Sequence, residues 1–182
     1  RRRHTRFRNV TGVQTCALPI LEPRLKERTL TVNGASKAYA MTGWRVGYAG
    51  GPQPLIAAMN NVHGQATGGI TTVSQAAAVA ALEGPQDFLA TRAAEYARRR
   101  DLVVDWLRQA PGITCHRPSG AFYVFPNISG CIGRTSRGGR RIDDDTAFVT
   151  ALLEEHHVAT VQGAAYGMSP YVRVSYATEI GR

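Results

Sequence analysis

Residues 34–50, GASKAYAMTGWRVGYAG, carry two cations in a stretch that has no other charged side chain. Lys37 stands among the small residues of positions 34–38, and Arg45 follows eight positions later. A lysine amine becomes a nucleophile when it is desolvated or lies beside another cation. The planar guanidinium of arginine matches the geometry of a phosphate group. The pair therefore has the chemistry to react with a carbonyl compound and to hold a phosphate.

Pyridoxal 5'-phosphate (PLP) is a cofactor that needs both groups, a lysine for its aldehyde and a cation for its phosphate. On spacing alone, an ordinary surface lysine beside a strand remains the alternative. The choice between the two interpretations depends on the rest of the chain.

Composition limits the classes of protein that fit. A chain of 182 residues predicts one domain or parts of two, and 43% hydrophobic residues suffice for a core. The sequence has no run of 18 apolar residues, and residues 1–20 lack the apolar region of a signal peptide, so we expect no membrane partner. The three cysteines, Cys16, Cys115 and Cys131, have no metal-site spacing, which favours a reducing cytoplasm and no bound metal.

The net charge of +9 raises the alternative of a non-catalytic basic module that binds nucleic acid. Five of the 22 basic residues lie within positions 1–20, and without that segment 17 basic residues face 13 acidic ones, a net charge of +4. The excess is largely a property of the N-terminal segment, so we expect no nucleic-acid partner.

That segment resembles translated adaptor DNA from a sequencing library. Residues 10–20, VTGVQTCALPI, and residues 1–6, RRRHTR, both fit codons of such an adaptor, and the terminal EIGR fits its opposite edge. We expect residues 1–20 and 180–182 to be adaptor-derived, with a disordered basic tail as the alternative for 1–20. Translated adaptor sequence carries no information about the fold of a protein.

The remaining chain predicts mixed α and β structure. Its first part predicts strands at 29–33 and 44–50 and helices from Pro52 to about Val62, at 73–83 and at 86–110. Its second part predicts a hairpin, or at least adjacent strands, for 113–117 and 121–125. It also predicts a helix from Asp143–Asp145 to about His157 and strands at 158–161 and 171–176. In the last strand, Arg173 and Ser175 share the face opposite Val172, Val174 and Tyr176. We expect the core to be filled by Tyr39, Trp44, Tyr48 and Tyr123, with packing near a cofactor as the alternative.

The stretch GASKAYAMTGWRVGY resembles the pyridoxal-lysine signature of class I aminotransferases, the aspartate aminotransferase-like enzymes of PLP fold type I. PSGAFYVFPN (118–127) and LLEEHHVATVQGAAYGMSPYVRVSYA (152–177) resemble the small-domain and C-terminal motifs of that family. The likeness covers about residues 21–178. The sequence of the last motif is especially similar to that of bacterial aspartate aminotransferases of the branch that includes prephenate-using members.

The resemblance implies a role for three residues. Lys37 would be the Schiff-base lysine and proton carrier, Arg45 would contact the cofactor phosphate, and Arg173 would bind the substrate α-carboxylate. Without the resemblance, a surface ion pair is the alternative for Arg173. Many members of the family have serine at the position of Gly34, which can supply no phosphate contact.

The implied fold is α/β, the C-terminal part of the PLP-dependent transferase fold. Residues 21–85 would end the large cofactor-binding domain, and residues 86–179 would form the smaller α+β domain. The other cofactor contacts of the family precede its lysine, and about 16 residues separate Lys37 from the adaptor-like segment. We therefore expect an internal fragment that is inactive by itself.

The expected activity of the parent protein is amino transfer between aspartate or glutamate and 2-oxo acids, including oxaloacetate, 2-oxoglutarate and prephenate. A homodimer in the cytoplasm is expected. Another fold type I enzyme, a kynurenine-type transaminase or a lyase, is the alternative.

Overall fold

The computed structural model describes residues 22–178, which divide into two compact units after Ala93. The prediction for residues 1–20 and 180–182 lies outside the described residues. No helix within the described range has both the length and the hydropathy needed to cross a bilayer.

The first unit begins with a 3-10 helix at Pro23–Arg28 and a two-stranded antiparallel sheet. Strand β1 is Thr31–Gly34 and strand β2 is Gly47–Gly50, in a register that pairs Thr31 with Gly50 and Gly34 with Gly47. The prediction began the second strand at residue 44, which was wrong for residues 44–46. A 3-10 turn at Thr42–Trp44 and a left-handed Arg45 delay the extended backbone until Gly47.

Helices follow the hairpin. Helix α1 is Gln53–Ala66 and helix α2 is Thr72–Glu83. Thr71 caps α2, since its side chain accepts a hydrogen bond from the Ser74 amide. Helix α1 runs four residues beyond the predicted end at Val62, through Gly64, because a single glycine weakens a helix without ending it.

Helix α3, Asp87–Gln109, crosses the boundary between the units and agrees with the predicted 86–110. Pro111 and Gly112 end it as expected, and Gly112 has φ +91°. The Cβ of any other residue at position 112 would lie 2.7 Å from the carbonyl oxygen of Gly130. Glycine is therefore required here for both conformation and space.

The second unit is built on a three-stranded antiparallel sheet in the order β3-β5-β4. The strands are β3 (Tyr123–Val124), β4 (Val161–Gln162) and β5 (Val172–Ser175). Helix α4 is Asp145–His156, close to the predicted span, and 3-10 turns occupy Ser129–Cys131 and Gly163–Tyr166. The expected mixed α and β structure is confirmed.

The predicted hairpin of 113–117 with 121–125 is wrong. The first segment makes one β-bridge, between Thr114 and Asn127, and β3 pairs with β5 instead. Ala121 has φ +71°, which interrupts the extended backbone before β3. The alternation predicted for β5 is correct, since Val172 and Tyr176 are buried and Ser175 is exposed.

Candidate active site

The connection between β1 and β2, which carries Lys37, is anchored by buried residues on both sides of the lysine. Ala35 is fully buried, and its amide donates to the carbonyl oxygen of Val46 across the connection at 3.2 Å. Ala35, Met41 and Val46 pack with Ala78 of α2 in one apolar cluster. Lys37 lies between these anchors and is exposed. The small residues of the motif therefore bring the backbone close to α2 and leave the lysine side chain at the surface.

Tyr39 joins the same connection to the chain that follows α2. Its hydroxyl donates to Oε1 of Gln86 at 3.0 Å, and its ring meets Phe88 edge-on at 6.2 Å. The Gln86 amide in turn donates to the carbonyl oxygens of Ala81 and Gly84 at the end of α2. Partial burial raises the pKa of Tyr39, so its hydroxyl keeps its proton at neutral pH and remains a donor.

Arg45 ends the connection in a left-handed conformation, with φ +54°. Its guanidinium is exposed, and Nη1 donates to the carbonyl oxygen of Thr42 at 3.0 Å. Within residues 22–178, no carboxylate forms an ion pair with Arg45. A guanidinium has five N–H donors, so Arg45 retains donors for an anion.

Gly34 departs from the family pattern, and its surroundings are tight. A Cβ at this position would lie 3.2 Å from the carbonyl oxygen of Val46, the oxygen that accepts from Ala35. A serine here would require that carbonyl to shift by a few tenths of an ångström. Glycine at this position therefore lets the end of β1 approach the backbone of Val46 closely. It contributes no side-chain donor.

Arg173 lies in the second unit, in a cavity of about 230 Å³. The other lining residues are aromatic: Tyr123, Phe125 and Tyr166. The guanidinium carbon is 5.5 Å from the ring centroid of Tyr123 and 5.1 Å from that of Tyr166. Each cation–π contact stabilises the side chain by about 0.5–1 kcal/mol.

No carboxylate of the described chain pairs with Arg173. The surface ion pair considered as the alternative is therefore absent from residues 22–178. A half-buried guanidinium whose neighbours are ring faces suits a planar carboxylate that approaches from outside.

Sequence reasoning identified Arg173 but assigned Tyr123 to the core and gave Tyr166 no role. Tyr123 is 39% exposed and Tyr166 is 47% exposed, and both line the cavity. The core assignment was also wrong for Trp44 and Tyr48, which are 45% and 43% exposed. A tyrosine at the edge of a short sheet has no periodic signal that separates a core face from a site.

The structure brings Lys37 and Arg45 onto one connection in the first unit, and Arg173 belongs to the second unit. The part of the chain that the structure describes contains no cluster of three or more His, Cys, Asp or Glu side chains that suits a metal ion. The roles of Lys37, Arg45 and Arg173 remain predictions.

The family model for "Aminotransferase class I and II" matches residues 8–179. The chain belongs to the class I and II aminotransferase family. The match starts inside the segment 1–20 that was assigned to adaptor sequence, and that assignment stays a prediction.

Named relatives agree with the family. The chain is 60% identical over 158 residues to an aspartate/prephenate aminotransferase of Cereibacter sphaeroides, covering 87% of this chain and 40% of the relative. It is 56% identical over 172 residues to an aspartate aminotransferase of Rhizobium meliloti, covering 94% and 40%. The chain thus spans about two fifths of the length of these relatives.

A solved structure extends the likeness to the fold. The crystal structure of the aspartate aminotransferase from Rhizobium meliloti superposes with a TM-score of 0.86 at 52% identity, over 97% of this chain and 44% of that chain. The predicted α/β fold class, as part of the fold of these enzymes, is confirmed.

Proposed function

We propose that the whole protein is a PLP-dependent aminotransferase that moves an amino group between aspartate or glutamate and 2-oxo acids. The observation that carries the proposal is the connection between β1 and β2. It presents an amine, Lys37, and a guanidinium, Arg45, on a backbone fixed by the buried Ala35. These are the two groups that a phosphorylated aldehyde requires.

The residues present fit the cofactor. Lys37 would hold it covalently, and Arg45 would hold its phosphate with the donors that Thr42 does not use. When bound, PLP supplies an aldehyde that accepts the amino group and a conjugated ring that withdraws electrons from the substrate α-carbon.

The remaining chemistry belongs to the chain. Nζ of Lys37 would act as the base that takes a proton from the substrate α-carbon and then as the acid that delivers it to the carbon of the former cofactor aldehyde. Arg173 binds the α-carboxylate and thereby orients the C–H bond that loses its proton. The aromatic rings around Arg173 exclude water from one side of the ion pair and so strengthen it.

The names of the relatives support aspartate as a substrate and extend the proposal to prephenate as an acceptor. Oxaloacetate and 2-oxoglutarate are the 2-oxo acids that correspond to aspartate and glutamate. A kynurenine-type transaminase or a lyase would share Lys37, Arg45 and Arg173, so substrate assays separate these alternatives.

A homodimer and a cytoplasmic location are part of the proposal and rest on the family resemblance. A nucleic-acid partner receives less support. Several arginines pair with carboxylates of the same unit, as in the pairs Arg98–Glu95, Arg99–Glu95, Arg100–Asp101, Arg140–Glu154 and Arg141–Asp143. Such pairing leaves less of the basic charge for phosphates of a polymer.

The proposal is tested by trapping the cofactor. Borohydride reduction of the PLP-loaded whole protein, followed by peptide mass spectrometry, should place a pyridoxyl group on Lys37. A Lys37→Ala variant should lose this label and should lose aspartate transamination by roughly 10²–10⁴-fold or more, the range for removal of a positioned acid–base group.

Lys26, the only other lysine of the sequence, provides the matched control, since it lies in the 3-10 helix Pro23–Arg28. A Lys26→Ala variant should keep both the label on Lys37 and the activity. Normal turnover by the Lys37→Ala variant would refute the proposal.

A further inference from the structure

Asp145 is a buried carboxylate at the start of helix α4. It is 1% exposed, although the neighbouring Asp143 and Asp144 are exposed. Oδ2 of Asp145 accepts a hydrogen bond from the amide of Ala164 at 2.7 Å, and Oδ1 accepts one from the hydroxyl of Ser169 at 2.8 Å. A buried carboxylate is retained where such bonds replace its lost water.

Both hydrogen bonds of Asp145 reach one segment, residues 163–171. The segment begins with the 3-10 turn Gly163–Tyr166 and is closed by two backbone bonds, from Gly163 N–H to the Tyr171 carbonyl and from Met168 N–H to the Gly163 carbonyl. A Cβ at Gly163 would lie 2.0 Å from the Met168 carbonyl oxygen. The segment is therefore a tight loop. Asp145 binds it at two points, Ala164 near its start and Ser169 near its end.

The same loop forms one wall of the Arg173 cavity. Tyr166, at the end of the 3-10 turn, packs its ring against the Arg173 guanidinium and edge-on against Phe125 at 5.9 Å. Tyr171, at the other end, stacks on Phe125 at 5.5 Å. The position of the loop thus sets the position of Tyr166, one of the two rings that contact Arg173.

We propose that Asp145 is a positioning residue for carboxylate binding: it fixes the loop 163–171, the loop fixes Tyr166, and Tyr166 holds the Arg173 guanidinium in its binding orientation. The inference rests on the proposed role of Arg173 and adds a residue that does not touch the substrate. Asp145 acts on binding because a displaced guanidinium loses the aligned pair of hydrogen bonds to a carboxylate.

The test measures ligand affinity and kinetics in the PLP-loaded whole protein. The Asp145→Ala variant should raise the Kd of maleate, an unreactive dicarboxylate, and the KM of aspartate by on the order of ten- to a hundredfold. Its kcat should fall by a much smaller factor than its KM rises, because most of the carboxylate contact is made equally in the bound substrate and the transition state, and only the orientation of the C–H bond acts on kcat.

Two milder variants keep the test informative if Asp145→Ala folds poorly. Asp145→Asn can still accept from Ala164 and can donate to the Ser169 hydroxyl, so it should restore most of the affinity. Ser169→Ala removes one of the two bonds and should raise the Kd of maleate by a smaller factor than Asp145→Ala does.

The matched control is Asp144→Ala. Asp144 lies next to Asp145 and caps α4 by accepting from Ala147 at 2.7 Å, a bond within its own helix. This variant should lower the melting temperature and leave the Kd of maleate unchanged.

The outcomes separate the two proposals. An Arg173→Leu variant with unchanged maleate affinity overturns the proposed role of Arg173 itself. If Arg173→Leu loses affinity but Asp145→Ala binds maleate as well as Asp144→Ala does, the positioning role of Asp145 alone is overturned.

Discussion

Two non-glycine residues of the lysine-bearing connection have a left-handed backbone, Ala40 with φ +56° and Arg45 with φ +54°. This conformation costs an L-residue roughly 1–2 kcal/mol, because its Cβ approaches a carbonyl oxygen. Strain of this kind concentrates at functional sites, where a required side chain is kept despite its backbone. Arg45 fits that pattern, since its guanidinium is the proposed phosphate contact.

An Arg45→Gly variant should therefore separate stability from function. Relief of the left-handed strain offsets the greater freedom of glycine in the unfolded chain, so the melting temperature should change little or rise. The PLP affinity should fall by roughly ten- to a hundredfold, because a hydrogen bond to a charged group contributes about 1.5–3 kcal/mol. Thermal unfolding and PLP titration of the whole protein measure the two effects.

Ala40→Gly is the control, since it relieves the same strain in the same connection without removing a cation. It should leave the PLP affinity unchanged. Equal affinities for the Ala40→Gly and Arg45→Gly variants would contradict the assignment of Arg45.

Residue type and spacing drew attention to Lys37 and Arg45, but the resemblance to the aminotransferase motifs was needed to nominate them and Arg173 as site residues. Such motifs can be recognised in the sequence because they are local. The backbone conformation of Arg45 was not predictable in this way. It follows from the contact of Ala35 with Val46 and from their packing on Ala78, 32 positions further along the chain. Asp145 was likewise expected only to favour a helix start, and its burial depends on the distant loop 163–171.

At the scale of elements, helices were predicted better than strands. Caps and stop signals are local, and α3 and α4 begin and end close to where those signals stand. The partner of a strand is a long-range property, and β3 pairs with β5 across about 50 residues of chain. Short strands of two residues also carry too few side chains to show an alternation.

The loop 133–141 and helix α4 are joined by one carboxylate, Glu155. The hydroxyl of Ser136 donates to Oε1 of Glu155 at 2.5 Å, and the amide of Gly138 donates to Oε2 at 2.9 Å. The Ser136 hydroxyl, and after it the Gly138 amide, lower the pKa of Glu155 below its usual 4.5. The ionised form is therefore the one that the folded loop prefers.

A Glu155→Gln variant should loosen this loop at pH 7. The stabilisation from a carboxylate with a lowered pKa is fully present above the unfolded-state pKa of 4.5 and is lost as the pH falls through the lower folded-state value. The Gly138 amide should exchange with solvent faster in the variant at pH 7, and the difference between the two proteins should shrink as the pH falls below 4.5. Hydrogen exchange measured by NMR, corrected for the intrinsic pH dependence, tests both statements.

Glu83→Gln is a suitable control, because Glu83 ends α2 in the other unit. It should leave the exchange of Gly138 unchanged at both pH values. The exchange rate of Gly138 in Glu155→Gln is compared with that in the unsubstituted protein at both pH values. If the two rates differ as much at pH 3 as at pH 7, the charge of Glu155 does not hold the loop.

At the scale of the whole molecule, each unit has its own apolar cluster, and the clusters differ in the size of their side chains. The first consists of Ala35, Met41, Val46 and Ala78, and the second of Val104, Cys115, Val124 and Tyr176. Fully buried Ile128 and Val172 add to the second unit. The first unit also exposes several large apolar side chains: Val32, Leu55, Val62, Val73 and Val79.

Val104 and Val62 provide a matched pair for measuring this difference in the 182-residue chain. Both are helical valines, in α3 and α1, and Val104 is 0% exposed whereas Val62 is 71% exposed. Val104→Ala should reduce the free energy of unfolding by about 2 kcal/mol, because it removes two buried methyl groups and leaves a cavity. Val62→Ala should change it by no more than about 0.5 kcal/mol.

Both substitutions exchange a β-branched residue for alanine, so the gain in helix propensity is shared and cancels from the comparison. The difference in urea midpoint between the two variants, at an unchanged denaturant slope, therefore reports burial alone. A loss of about 2 kcal/mol in both variants would mean that the face of α1 that carries Val62 is covered in solution. Gel filtration of the unsubstituted chain at two concentrations would then show whether a second copy covers it, since self-association shifts with concentration.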